Sequence, residues 1–395
     1  MKTLIVNGRI LTPRGVLLGH VLGFEGDKIT GIWEKEQVPE AYCQAEKLDA
    51  QGQYVSPGFV DIHVHGGGGY DCTGSSPENI VKMCRAHALH GTTSIAPTVT
   101  TAALPLMASS VCNIREAQKL CKDATILGAH LEGPFLSLEQ CGAQNPEYIL
   151  PPTQENWEKL LSIWPEGITM MGVAVEREGA LALGDTLRSL GITPSIAHSN
   201  ASFEQVEEAL LHGFRDVTHL YSGCSVMYRK NSYRHAGVVE AGLYFDDLTA
   251  QVIADGKHLP ASLLRLIYKC KGADRIALIT DALETAGLEM EEGTLVTQSN
   301  GMDMILDDGV MKLPDKQSFA GSIATTDRLV RNMVQLAGVP VHEAVVMASR
   351  TPARIVHADD RKGTLAPGMD ADILFFDENI HLSRVIAMGQ TIMEK

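Results

Sequence analysis

Two histidines, His63 and His65, stand two apart at the end of an apolar run, where a strand would put both imidazoles on one face. Glu132, His198, His219 and Asp281 each close a further apolar segment in the same way. Imidazoles and carboxylates are the ligands of zinc and similar borderline divalent metals. Any one of these residues alone reads as ordinary structure. A histidine at a strand end is commonly a hydrogen-bonded core residue, and an aspartate after a strand commonly caps a helix. Six such residues closing five segments make a different pattern, and the chemistry it implies is a metal centre.

Such a centre needs a frame that brings the segment ends together. Eight apolar stretches, at 57–62, 92–97, 126–131, 168–175, 193–197, 217–218, 249–254 and 276–280, alternate with helical patterns. Ser76 reads as the N-cap of the first helix, with Pro77 at its first position and Gly91 past its end. Ser202 and Gln205 form a capping box at the start of another, which stops before Gly213. Strands and helices in alternation specify an α/β fold with a parallel sheet, and at this length a TIM-type (β/α)₈ barrel is the expected form. An open doubly wound sheet has the same pattern. In a barrel, the C-terminal strand ends form the rim where active sites lie, and all six residues fall there.

The flanks have another texture. Residues 1–54 and 363–395 carry short β-like runs separated by turns, and neither has a core of its own. Together they are expected to form one small β-sandwich-like domain beside a barrel of residues 55–362. At 395 residues the chain has room for both. A net charge of −15 argues against nucleic acid or an anionic membrane as partner, since both would repel it. A small anionic substrate stays open, because a few cations in a pocket reverse the local potential. None of the eight cysteines forms a C-x-x-C pair, and the opening reads as a strand and turn rather than a leader, so a cytoplasmic protein is expected.

The motifs, in order, are His63-Val64-His65 with the glycines 66–69, His130-Leu131-Glu132-Gly133-Pro134, Ala197-His198-Ser199, Thr218-His219-Leu220, Asp255-Gly256-Lys257-His258, Thr280-Asp281-Ala282 and Ala320-Gly321-Ser322. This set, with the ending Gly363-Thr364-Leu365, resembles the N-acetylglucosamine-6-phosphate deacetylases of the amidohydrolase superfamily over essentially the whole chain. The resemblance implies that Glu132, His198 and His219 hold a principal metal and that His63 and His65 hold a second. Some members lack the latter two and use one metal. It implies zinc, one or two per subunit, with iron, manganese or cobalt as alternatives. Asp281 would be the general acid/base, taking a proton from the attacking water and returning it to the leaving amine. His258 would meet the sugar or its phosphate, or else stabilise its loop. Ala320, Gly321 and Ser322 would line the pocket. A homodimer is implied, in which an arginine crosses between subunits.

The departures from the family pattern fall in substrate-contacting segments. Gly142-Ala143-Gln144 replaces the usual G-A-H, and Ser222-Gly223-Cys224 replaces an Asn-containing segment. Ser232-Tyr233-Arg234-His235-Ala236-Gly237 stands for H-H-R-E-P-G, in a lengthened region. Gln144, Ser222 and Gly223 are therefore expected to tune which substrate is accepted. Arg234 aligns with the family's phosphate-binding arginine, although a solvated basic loop would look the same. The expected reaction is removal of the N-acetyl group from an N-acetyl amino sugar 6-phosphate, N-acetylglucosamine-6-phosphate or an epimer. Two rivals are a related amidohydrolase cleaving another N-acyl or cyclic amide without phosphate, and a catalytically silent sugar-phosphate-binding protein.

Overall fold

The computed structural model describes residues 2–395. Eight parallel strands pair in chain order: β1 (Phe59–Val64), β2 (Thr92–Val99), β3 (Ala129–Glu132), β4 (Ile168–Val173), β5 (Thr193–Ile196), β6 (Asp216–Val217), β7 (Thr249–Val252) and β8 (Ile276–Leu278). A parallel bridge between Val64 and Ala282 brings the end of β8 back to β1, and the Asp281 N–H donates to the His63 carbonyl at 2.9 Å. This contact closes the sheet into a TIM-type barrel and rules out the open alternative.

The helices start where their caps dictate. Ser76 accepts from the Asn79 N–H at the head of helix Pro77–Ala88. Both bonds of the Ser202–Gln205 capping box are present at helix Phe203–Leu211. One large buried cluster lies between strands and helices and includes Ile276 and Leu278 of β8. The alternate residues, Ala277 and Ile279, join a second cluster with Met170 and Ile253, as a period of two requires. Among the described residues no helix is long and apolar enough to cross a membrane.

The apolar run 126–131 is not one strand. It divides into Thr125–Ile126 and β3, with Gly128 between them at φ 152°, where an added Cβ would collide with the Gly167 carbonyl. Two further elements have no counterpart in the pattern reading. A three-stranded sheet, Leu295–Thr297, Asp303–Asp307 and Val310–Lys312, follows β8. A two-stranded hairpin, Tyr228–Lys230 with Tyr233–His235, follows β6.

A six-stranded sheet draws on both flanks, running Gln390–Glu394, Leu382–Ala387, Ile373–Phe376, Tyr54–Pro57, Arg9–Thr12 and Gly15–Leu17. A separate four-stranded sheet comes from the first flank alone. The C-terminal flank is tied to the barrel by Lys362, 2% exposed, whose ammonium meets Asp372 at 2.7 Å, Asp370 at 2.9 Å and Thr125 Oγ1 at 2.8 Å.

Candidate metal centre

At the C-terminal rim the six residues converge. His63 and His65 come from the end of β1 and Glu132 from the end of β3. His198, His219 and Asp281 lie just past β5, β6 and β8 and all take positive φ, at 43°, 28° and 47°. Residues with side chains rarely adopt that region unless their surroundings impose it. Here they do. The Asp281 carbonyl accepts from Ser322 N, that of His198 from Ser137 N and that of His219 from Ser222 N, at 2.8–2.9 Å. These turns swing the three side chains over the barrel mouth.

The histidine tautomers follow from their partners. His198 Nδ1 lies 2.8 Å from the Gln140 carbonyl and His219 Nδ1 lies 3.0 Å from the Ser222 carbonyl. A carbonyl oxygen only accepts, so both Nδ1 atoms carry the hydrogen and each Nε2 presents a lone pair. His63 Nδ1 meets Gln251 Oε1 at 3.1 Å. The amide is oriented by its Nε2, which donates to Asp216 Oδ2 at 2.6 Å. Asp216 also accepts from Ser195 and Thr249, so a buried polar chain reaches from the barrel interior to His63.

The Nε2 atoms point at one another and at the carboxylates. The separations are 3.2 Å for His63–His65 and 3.2 Å for His198–His219. Two nitrogens at ~2.0–2.1 Å from one tetrahedral zinc would be roughly 3.3 Å apart. Glu132 Oε1 lies 2.9 Å from His219, 3.2 Å from His198 and 3.4 Å from His63. Asp281 Oδ1 lies 3.4 Å from His63 and 3.3 Å from His65. Two buried triads result, His63–His65–Asp281 and Glu132–His198–His219, each with ligand atoms within 4.8 Å of one another. Burial pushes the Glu132 carboxyl up, but His63, His198 and His219 outweigh it and hold it well below the usual carboxylate range. Burial likewise lowers His65, and the Asp281 and Glu132 carboxylates reverse this and raise it. Converging lone pairs and carboxylates favour a cation among them, and the donor set fits a divalent metal.

The cavity above the triads is lined by Gln144, Ser222, Gly223, His258, Ala320 and Gly321, together with His65, Glu132, His198, His219 and Asp281. Gly223, at φ 54°, leaves no room for a side chain unless His198 shifts, since a Cβ would sit 2.7 Å from His198 Nδ1. His258 is pinned by Asp255 at 2.8 Å and packs on Phe319, with ring centroids 4.5 Å apart. Ser322 is fully buried, and its hydroxyl donates to the Thr280 carbonyl. Arg234 stands apart, exposed on the hairpin and outside the cavity of its own chain. Pattern reading missed Thr100, Gln298 and Phe319, which also line the cavity. Thr100 follows β2, and the strand-end rule that found the histidines reaches it. Gln298 and Phe319 belong to the region around the inserted sheet, which carries no comparable signal.

A larger cleft, about 790 Å³, opens at the opposite barrel end between Thr193, Asp216 and Lys271. It is not where barrel chemistry occurs; Lys271 Nζ donates to the Phe245 carbonyl there, and Asp216 is bonded as described.

Residues 54–393 match the amidohydrolase family. The chain is 33% identical to the N-acetylglucosamine-6-phosphate deacetylase of Lysinibacillus sphaericus, over 92% of this chain and 93% of that one. It is 30% identical to the N-acetylgalactosamine-6-phosphate deacetylase of Escherichia coli O157:H7, over 97% of both. The crystal structure of N-acetylglucosamine-6-phosphate deacetylase from Pasteurella multocida superposes with a TM-score of 0.90 at 30% identity, covering 99% of each chain. The rim geometry and these likenesses agree: this chain belongs to the amidohydrolase family and, within it, to the N-acetylglucosamine-6-phosphate deacetylase family.

Proposed function

We propose that this chain hydrolyses the N-acetyl group of an N-acetyl amino sugar 6-phosphate, either N-acetylglucosamine-6-phosphate or its galacto epimer, releasing acetate and the amine. The observation that carries the reading is the pair of buried triads at the barrel rim, in a chain whose relatives on both sides of the epimer choice are deacetylases. In this reading Glu132, His198 and His219 hold the principal metal and His63 and His65 a second, with zinc favoured by the imidazole and carboxylate donors. When bound, the metal supplies Lewis-acid polarisation and a more acidic water.

Asp281 then carries the proton. Burial raises its carboxyl, but His63 and His65 outweigh that and hold it below the ordinary value. It takes one proton as the water oxygen bonds the carbonyl carbon. As the C–N bond breaks, it returns that proton to the nitrogen, which leaves as a neutral amine. Ser322 N and His63 O hold the Asp281 backbone on both sides, so the carboxylate keeps its place through both transfers.

Arg234 serves the phosphate in this reading, delivered by the hairpin of a second subunit in a homodimer. Its distance from its own cavity and the exposed Met227, Tyr228 and Tyr233 beside it support that arrangement. The test is acetate release from the 6-phosphates of both N-acetyl hexosamines and from the free sugars, at matched zinc loading. A protein active only on another N-acyl or cyclic amide would refute the proposal.

A further inference from the structure

We propose that Gln144 is a positioning residue that fixes the Glu132 carboxylate for metal binding, rather than a contact that reads the sugar. The proposal rests on the metal reading of the site above. Gln144 is buried and all its bonds run inward. Its Oε1 accepts from Thr100 Oγ1 at 2.8 Å and from the Thr101 N–H at 3.0 Å. A backbone N–H only donates, so the atom facing Thr101 is the oxygen and the amide has one orientation. Its Nε2 then faces Glu132 Oε2 and donates to it at 2.5 Å.

Glu132 is the residue this bond must hold. Its Oε1 sits among His198, His219 and His63, and its Oε2 lies 3.2 Å from His65. A partial turn of the carboxylate plane about the last side-chain bond would take both oxygens off these contacts. The Gln144 donor ties down one oxygen and thereby aims the other. Partners of this kind orient metal ligands, and their loss typically weakens metal affinity or activity ~10–100-fold. Turning Gln144 toward a sugar would leave Thr101 N–H and Thr100 without their shared acceptor in a buried place, which opposes a substrate role.

The test compares wild type with Gln144→Ala, Gln144→Glu and Thr100→Val. The readouts are zinc affinity by chelator competition, the visible spectrum of the cobalt-loaded protein, kcat and KM separately, and the kcat/KM ratio between the two N-acetyl hexosamine 6-phosphates. Gln144→Ala is expected to weaken zinc binding by about ten- to a hundredfold and to lower kcat, leaving KM and the epimer ratio near wild type. Gln144→Glu, which sets a second carboxylate against Glu132, should shift the cobalt spectrum and lose more. Thr100→Val, nearly isosteric, should show a smaller loss in the same direction and serves if the Gln144 variants fold poorly. Wild-type zinc affinity together with a changed epimer ratio would overturn the proposal alone. A wild-type protein that takes up no zinc would sink the metal reading and this proposal with it.

Discussion

Asp281 is the residue on which the chemistry turns, because in the proposed reaction one carboxylate both accepts and returns the proton. Asp281→Asn keeps the shape and removes that capacity, so kcat should fall at least ~10²–10⁴-fold. Metal content measured on the same sample should be largely retained, since the Glu132 triad is untouched. Near wild-type kcat would remove Asp281 from the mechanism. All six residues of this cluster were legible in the sequence because strand-end position and residue type are both visible there. The reason they point inward was not. The positive φ of His198, His219 and Asp281, and the carbonyls that set the tautomers of His198 and His219, depend on chain segments far away in sequence. Gln144 shows the same limit: its position beyond the loop that follows Glu132 was visible, but the three bonds that turn it onto Glu132 were not.

Turns and sheet seams decide whether that cluster forms at all. The loop after β6 places Gly223 against His198, so Gly223→Ala should cost about 1–3 kcal/mol through the strained φ, and should also disturb His198. Thermal denaturation and zinc affinity should both fall. Loss of stability with unchanged zinc affinity would show that the loop does not hold the histidine. At the other side of the molecule, Lys362→Met leaves Asp370 and Asp372 without their buried ammonium and should cost about 3–5 kcal/mol. Removing the exposed Lys159–Glu155 pair should cost less than about 1 kcal/mol in the same denaturation experiment. Burial raises the Asp370 carboxyl, but Lys28 and Lys362 overcome this and hold it below its ordinary value. The folded state therefore binds fewer protons than the unfolded chain in acid. The stability this group contributes is complete above its unfolded pKa of about 3.9 and is lost as pH falls through the folded value. The barrel strands were readable within a few residues because apolar runs and caps mark them. The split at Gly128 and the sheet Leu295–Thr297, Asp303–Asp307, Val310–Lys312 were not, since a close backbone approach leaves no pattern and strands of three to five residues are too short to show a period.

For the whole molecule, the difficulty is a net charge of −15 in a protein proposed to bind a phosphate dianion. Cations must be concentrated where the phosphate docks, and arginine suits this because its planar fork makes paired bonds to one phosphate. Arg234→Ala is expected to lose about 1.5–3 kcal/mol, roughly tenfold to a hundredfold in kcat/KM, on the phosphorylated sugar, with little change on the free one. If a second subunit supplies it, dilution to monomer should reproduce that loss. Equal losses on both sugars would separate Arg234 from the phosphate. The measurement that bears most directly on the central claim is acetate release from the two N-acetyl hexosamine 6-phosphates by metal-stripped protein titrated with zinc. The account predicts no release from the stripped protein and release that saturates at one or two zinc per chain. Full release from protein in which no metal is detected, or none at any zinc loading, would contradict it.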